Sequence, residues 1–351
     1  GYFNEMGTME IPPKVNDGNL WPTHNWQDVT WSKGENLYFP RWKNLLTGYT
    51  TCFDCAIRCT RTNTSRYEDH GRGPEYETTW AFGPQVLNED PNLIVHANKL
   101  CDLYGLDTIS TGSVIGFYRE CIERGLTNDS WTTNEKIFDL IDAIAHRRGV
   151  GDVLAEGSFR ASQIFAGGST DFAIQQCGME LPAYDPRGSW GMFLCYVFGP
   201  RHGCHNKAWT VYLELEMSLE ARLGSEGKAK LVSDLMDETA VIDSTGVCTL
   251  VTPIVFTESA AAYQTVLGKN ITPDEMRRLG RGITDLERWL DMERGHTKEK
   301  DTLPVRLIED EVTVNGKSVR VGWDTWAKLR DEYYRYRGWS AEGVPNLVIA
   351  Q

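Results

Sequence analysis

Apolar residues recur at the spacing of an α-helix along most of the chain beyond residue 90. In the clearest run, which Asn134 can cap and Gly149 can end, the apolar positions are Ile137, Leu140, Ile141 and Ile144. A second run starts at Asp152, and its apolar positions are Val153, Leu154, Phe159, Ile164 and Phe165. Both runs predict helices with one buried face.

End signals predict a further helix between Thr272 and Gly295. Pro273 occupies a first-turn position, Glu275 follows it closely, and a glycine stands just past the end. This order of residues is the usual punctuation of a helix or of a kinked helix pair.

A single hairpin interrupts the helical pattern. The β-branched runs 312–314 and 319–321 flank Asn315-Gly316, and Asn-Gly favours the two-residue turn that joins antiparallel strands. The predicted fold class is therefore mainly α, with two helical domains and a small β-hairpin.

Two regions are rich in Gly and Pro and have no sustained period. We expect residues 1–50 to be extended and loop-rich. Residues 167–205 lie between helical blocks, where a domain junction is plausible. The expected division is a domain over residues 1–176 and another over residues 177–351.

The composition excludes several classes of protein. Hydrophobic residues make up 41% of the chain and charged residues 24%, as in a globular protein, and no uncharged apolar run approaches the roughly 18 residues of a membrane span. Lys and Arg number 36 against 49 Asp and Glu, and the net charge of −13 argues against a nucleic-acid partner. The chain begins at Gly1 without a signal-like segment, so we expect a fragment of a longer protein.

Three of the nine cysteines crowd into eight residues. Cys52, Cys55 and Cys59 form C-x2-C-x3-C, which lets three thiolates converge from one turn. The spacing favours an iron–sulfur cluster, which usually takes four thiolates; a zinc site or unliganded core cysteines remain alternatives. Such a site also favours a reducing compartment, and we expect the cytoplasm.

Two segments share the form D-x-x-G-[LV]-[DC]. They run from Asp102 to Asp107 and from Asp243 to Cys248, and each follows a helical pattern. Each predicts a helix that ends at a glycine in the left-handed conformation, with a carboxylate close to the turn. Taken singly, either segment is an ordinary helix end.

As a pair, the two segments and the cysteine triplet resemble those of the aldehyde:ferredoxin oxidoreductase family. Other segments fit the same family in order and distance, and together they cover nearly the whole chain. They are Gly73-Pro-Glu-Tyr-Glu-Thr78, Gly151-Asp-Val-Leu-Ala-Glu-Gly157, Tyr184-Asp-Pro-Arg-Gly188, Leu286-Glu-Arg288, Tyr334-Arg-Tyr-Arg-Gly-Trp339 and Gly343-Val-Pro345.

The resemblance implies two cofactors. One is a tungsten, or molybdenum, bis-pterin, with Mg²⁺ as an accompanying ion, held by the two loops; the other is a [4Fe–4S] cluster. The implied pterin-binding residues are Asp102, Gly105, Leu106, Asp107, Asp243, Gly246 and Val247. The implied cluster ligands are Cys52, Cys55, Cys59 and, from the second loop, Cys248.

The resemblance also implies a division of the family's fold. The sequence corresponds to the helical domains 2 and 3, and the family's N-terminal β-rich domain is missing from it. We expect a missing N-terminal portion or a companion chain to supply that part.

Proton transfer in aldehyde oxidation needs a carboxylate or an imidazole near the metal. In an extended segment Glu75 and Glu77 would point to one face. Counted from the cysteine triplet, Glu77 better matches the metal-proximal glutamate that the family resemblance implies. His205 is the second candidate, with His202 as its alternative. Cys204 is predicted to be a buried core cysteine.

The expected function is oxidation of an aldehyde to a carboxylic acid, with electrons leaving through the cluster to ferredoxin or an electron-transfer subunit. One alternative is the catalytic subunit of an enzyme like the tungsten benzoyl-CoA reductases. An alternative of another class is a non-catalytic iron–sulfur electron-transfer protein. The Glu75–Glu77 segment and His205 favour aldehyde oxidation.

Overall fold

The computed structural model describes residues 2–68, 70–251 and 256–347. Helices dominate, which confirms the predicted mainly α class. In chain order the α-helices are α1 (Tyr2–Met6), α2 (Ile11–Asp17), α3 (Phe39–Trp42), α4 (Tyr76–Ala81), α5 (Pro91–Tyr104), α6 (Thr108–Glu123), α7 (Lys136–Ala145), α8 (Val150–Leu154), α9 (Gly157–Phe165), α10 (Gly191–Phe198), α11 (Val211–Leu215), α12 (Leu219–Arg222), α13 (Lys228–Thr245), α14 (Phe256–Leu267), α15 (Pro273–Glu293), α16 (Val305–Glu309) and α17 (Trp323–Arg337). Within the described ranges, none of these helices is long and apolar enough to cross a membrane.

The strands form three small antiparallel sheets. One sheet has the order β1-β2-β3, and β4-β5 and β6-β7 are two-stranded. The strands are β1 (Leu46–Thr50), β2 (Thr60–Thr64), β3 (His70–Arg72), β4 (Gln175–Gln176), β5 (Met179–Glu180), β6 (Val312–Val314) and β7 (Lys317–Val319).

The chain forms two compact units. The first comprises Gly1–Gly188 and Leu303–Arg320, and the second comprises Ser189–Thr302 and Val321–Gln351. The sequence-based division at residue 177 differs from these units in position, and it did not anticipate the return of Leu303–Arg320 to the first unit. That return has a visible cause: buried Arg306 of α16 donates hydrogen bonds to both carboxylate oxygens of Glu120 on α6, each over 2.6 Å.

In the second unit, α13 packs against α15 and α17. Arg337 at the end of α17 is buried and donates to the carboxylates of Asp237 on α13 and Asp285 on α15, at 2.6 Å each. One guanidinium at the end of α17 therefore joins the middle of α13 and of α15, and two carboxylates balance its buried charge.

Local end signals predicted two elements well. α15 runs from Pro273 to Glu293 and begins with a capping box, because Thr272 and Glu275 exchange side-chain and backbone hydrogen bonds. The hairpin β6-β7 turns at Asn315 and Gly316, both with positive φ, as the primed turn requires. The second hairpin strand is Lys317–Val319, however, and the predicted strand at 319–321 was placed too late.

Other helix predictions were wrong in detail. α7 buries Ile137, Leu140, Ile141 and Ile144 as predicted, but Asn134 does not cap it; its side-chain oxygen accepts a hydrogen bond from Trp131. The run from Asp152 is two helices, and Phe159 and Ile164 are exposed. The break falls at Gly157, whose φ of +84° suits glycine and whose added Cβ would lie 2.9 Å from the Glu180 carboxylate.

The expectation of an extended, loop-rich segment over residues 1–50 was also partly wrong. Residues 18–33 are irregular, but α1, α2 and α3 interrupt the segment. Pro12 and Pro40 stand in the first turns of α2 and α3, where proline suits a helix start because no backbone N–H is needed there.

Candidate cofactor site

The cysteine triplet lies on one loop between β1 and β2. Cys52 is exposed, and Cys55 and Cys59 are half-buried. The loop turns twice: the Cys55 amide donates to the Cys52 carbonyl over 3.2 Å, and Asp54 and Arg58 adopt positive φ. The structure thus brings the three predicted ligands onto one turn-rich segment.

Backbone donors surround the central cysteine. The amides of Ile57 and Arg58 donate to the Cys55 sulfur and lower the pKa of its thiol. Amide donors of this kind stabilise a thiolate, which is the form that binds iron. The loop therefore fits an iron–sulfur cluster better than it fits inert core cysteines.

The two matched loops have the backbone that their sequences predict. α5 ends at Gly105 and α13 ends at Gly246, and both glycines adopt the left-handed conformation, with φ of 68° and 72°. No atom lies within 4 Å of the position of an added Cβ at either glycine, so the space beside each turn is open. Asp102 and Asp243, the carboxylates before these turns, are exposed.

The first loop has a structural role at its last residue. The Asp107 carboxylate accepts a hydrogen bond from the Ser110 amide over 2.7 Å and caps α6. Leu106, next to it, donates its amide to the Cys101 carbonyl over 2.9 Å. A helix cap explains Asp107 by itself, and a cofactor contact at this residue stays a proposal.

The second loop lines a cavity of about 480 Å³ in the second unit. The lining residues are Pro200, Arg201, Cys204, Asn206, Lys207, Asp243, Val247, Cys248, Thr249 and Glu287. The volume lies in the usual range for small-molecule sites. Predicted pterin-binding residues, Asp243 and Val247, and the predicted cluster ligand Cys248 therefore share one cavity wall.

Sequence reasoning missed the cations of this cavity. The Lys207 ammonium donates to the Asp243 carboxylate, and the Arg201 guanidinium donates to the Cys204 sulfur over 2.9 Å. Cations beside an open cavity suit an anionic ligand such as a phosphate-bearing pterin. Lys207 gave no signal in the sequence, because its partner Asp243 lies 36 residues away.

A helix begins within the Glu75–Glu77 segment, so the predicted extended arrangement with both carboxylates on one face was wrong. α4 begins at Tyr76, and Glu75 is the residue before it. The cause is a contact distant in sequence: the Thr8 hydroxyl accepts from the Tyr76 amide over 2.9 Å and donates to the Glu75 carboxylate over 2.5 Å. The helix then buries Tyr76 and Trp80, one turn apart.

Glu77 lies in a different environment from Glu75. The residue as a whole is half-buried, but its carboxylate oxygen Oε1 is inaccessible to solvent, and Oε2 accepts from the Ala183 amide over 2.9 Å. Burial raises the pKa of Glu77 to about 8, against the opposing effect of the Ala183 amide, and the negative charge of Asp107 adds to the rise. A carboxyl group with such a pKa can exchange a proton near neutral pH.

His205 is half-buried in the second unit. Burial, together with the positive charge of Arg201, lowers the pKa of His205 to about 3. The imidazole is therefore neutral near pH 7 and can act through a hydrogen bond rather than as a charged acid. His202 stacks on His296 with centroids 5.0 Å apart, and Cys204 is buried as predicted.

A model of the family described as aldehyde ferredoxin oxidoreductase, domains 2 & 3, matches residues 1–348. The chain belongs to the aldehyde ferredoxin oxidoreductase family. The match confirms the resemblance that the motifs indicated. Members of this family are oxidoreductases.

Named relatives agree with this membership. The chain is 32% identical over 367 residues to a tungsten-containing aldehyde ferredoxin oxidoreductase of Thermococcus kodakarensis, a match that covers 98% of this chain and 58% of the relative. It is 26% identical over 377 residues to the WOR-like subunit of an aliphatic sulfonate oxidoreductase of Pyrococcus furiosus, covering 99% of this chain and 57% of the relative. This member of the aldehyde ferredoxin oxidoreductase family thus spans somewhat more than half the length of these relatives.

A solved structure has the same fold. It is the active site complex BamBC of benzoyl coenzyme A reductase in complex with 1,5-dienoyl-CoA, with a TM-score of 0.75 and 16% identity. The likeness covers 95% of this chain and 57% of the other. At this identity the likeness shows that the two chains share a fold and leaves the substrate open.

Proposed function

We propose that this chain is the helical part of a tungsten-pterin oxidoreductase that oxidises aldehydes to carboxylic acids. The observation that carries the proposal is the second loop, where Asp243, Val247 and Cys248 line one cavity together with the cations Arg201 and Lys207. A pterin with an anionic tail needs a carboxylate for its ring donors and cations for its charge, and these groups are present.

In this assignment, Asp102 and Asp243 accept hydrogen bonds from pterin N–H groups. Cys52, Cys55, Cys59 and Cys248 hold a [4Fe–4S] cluster, and the Cys55 thiolate is already stabilised by backbone amides. When bound, the cofactors supply the two-electron redox chemistry and the one-electron steps that follow it. The name of the Thermococcus kodakarensis relative specifies tungsten as its metal.

The chain's own contribution to the reaction is the handling of protons. Conversion of an aldehyde and water to an acid releases two protons and two electrons. Glu77 is suited to take one proton because its buried carboxyl has a pKa of about 8. Neutral His205 is suited to hold a carbonyl or hydroxyl oxygen by a hydrogen bond.

The electron acceptor proposed here is ferredoxin or an electron-transfer subunit, and the cellular compartment is the cytoplasm. The relatives are longer than this chain, so we propose that a further portion or a companion chain completes the cofactor site.

The proposal is tested by an assay of the anaerobically purified enzyme, complete with its further portion. Aldehyde-dependent reduction of a viologen dye is the expected result. Reduction of an aromatic CoA thioester without aldehyde oxidation would instead assign a benzoyl-CoA reductase-like activity. Electron transfer without either activity would identify the protein as a non-catalytic iron–sulfur electron-transfer protein.

A further inference from the structure

The loop that carries the cysteine triplet presents aromatic side chains to solvent. Phe53, between Cys52 and Cys55, is fully exposed, and Tyr49 at the end of β1 is about half exposed. Aromatic residues are enriched at protein interfaces, and Tyr49 and Phe53 lie four residues apart on this loop. Their position beside the predicted cluster ligands places this surface where electrons would leave.

Arginines accompany these aromatic residues. Arg58 donates from its guanidinium to the Tyr49 phenol oxygen over 3.1 Å, and the guanidinium carbon lies 5.3 Å from the centre of the ring. Arg61 lies 5.7 Å from the same ring. The contacts hold Tyr49 and Arg58 as a preformed pair on the surface, which lowers the entropy lost when a partner binds.

The charge around the triplet opposes that of the whole chain. Within residues 41–60 the exposed charged residues are Arg41, Lys43 and Arg58 against the single acid Asp54, whereas the chain contains 36 Lys or Arg and 49 Asp or Glu. A basic region in an acidic protein attracts a negatively charged partner and repels a positively charged one. Redox partners meet through small, transient interfaces, for which such steering matters most.

We propose that Tyr49, Phe53 and Arg58 form the docking surface for an acidic electron-carrier protein that takes electrons from the cluster. The inference rests on the proposed function, because it requires a cluster at Cys52, Cys55, Cys59 and Cys248. Each docking event moves one electron from the reduced cluster to the oxidised carrier, so two events follow each aldehyde oxidised, and no bond forms or breaks.

The test compares two electron acceptors on the complete enzyme. With an acidic [4Fe–4S] ferredoxin as acceptor, Phe53→Glu should raise KM by about tenfold or more, as loss of an interface anchor does. Turnover with a small viologen dye should stay unchanged, because a dye needs no docking surface. Arg58→Glu should raise the ferredoxin KM in the same way and reduce its dependence on ionic strength, while the reduction potential of the cluster stays near that of the parent.

A matched control lies in the same sheet. Arg72 on β3 pairs with Thr62, whereas Tyr49 pairs with Arg61, so Arg72 projects to the opposite face of the sheet. Arg72→Glu makes the same charge change and should leave the ferredoxin KM within about twofold, since long-range electrostatics alone is weak at ordinary ionic strength.

An unchanged ferredoxin KM in Phe53→Glu and Arg58→Glu would overturn the proposal. Loss of the protein's further portion from the Phe53→Glu enzyme would also overturn it, by assigning the surface to an internal interface. A shift of cluster potential in Arg58→Glu without a change in KM would reassign Arg58 to the cluster. If the parent enzyme fails to oxidise aldehydes with the dye, the proposed function fails instead.

Discussion

The two matched loops have the same backbone and opposite electrostatic surroundings. Both follow a long helix and turn at a left-handed glycine. The first loop lies near another carboxyl group, because the negative charge of Asp107 contributes to the raised pKa of Glu77. Beside the second loop stand cations, and Lys207 pairs with Asp243. The same turn can thus present its aspartate in a proton-handling environment or in an anion-binding one, and the neighbours decide which.

The largest effect is expected at Cys248, the last residue of the second loop. Replacing Cys248 by Ala should remove a cluster ligand, so iron content and the spin signal of the reduced cluster should be lost or strongly altered. Helical content should remain, because Cys248 is exposed. Full iron content with the parent signal, measured by metal analysis and electron paramagnetic resonance, would remove Cys248 from the site.

The next largest effect concerns Glu77. Glu77→Gln keeps the shape of the side chain and removes its basicity, so turnover should fall by at least about tenfold with normal cluster and tungsten content. Glu75→Gln is the control, since its carboxylate is engaged by the Thr8 hydroxyl and should matter less. If Glu75→Gln abolished turnover and Glu77→Gln did not, the proton-accepting residue would be Glu75.

The same residue sets the expected pH dependence. Because a raised pKa keeps Glu77 protonated below about pH 8, dye-linked turnover should rise as pH increases and level off above that value. In Glu77→Gln the residual turnover should lose this step. A parent profile that is flat between pH 6 and 9, by steady-state kinetics, contradicts the role of Glu77 as a base.

The aspartates before the two glycines test whether both loops bind pterin. Asp102→Ala and Asp243→Ala should each lower tungsten and pterin content while circular dichroism stays nearly unchanged, because each removes an acceptor worth about 1–3 kcal/mol or more. Asp243→Ala also leaves Lys207 without its carboxylate in the cavity, so the second loop should be affected more. If both variants contained as much tungsten and pterin as the parent, the two loops would not be pterin-binding.

The smallest effect separates charge from capping at Asp107. Asp107→Ala should lower the free energy of unfolding by about 1 kcal/mol, as loss of a helix cap does. Asp107→Asn keeps a capping side chain and removes the charge, so stability should stay near the parent value while the pH profile of turnover moves to lower pH. Denaturant unfolding and pH-rate measurements distinguish the two variants. An unchanged pH profile in Asp107→Asn would show that burial alone raises the pKa of Glu77.

Sequence patterns predicted those features that depend on neighbouring residues. The capping box of α15, the Asn315-Gly316 turn and the glycines that end α5 and α13 each depend on contacts within a few positions. Features set by distant contacts were missed. α4 starts where it does because of Thr8, and Lys207 reaches Asp243 across 36 residues. No periodicity along the chain encodes such contacts.

The most direct test of the central claim is the tungsten, pterin, iron and sulfide content of the complete enzyme purified without oxygen. The account predicts tungsten with pterin and about four iron atoms with matching sulfide per chain. Zinc in place of iron, with no tungsten or pterin, would contradict it.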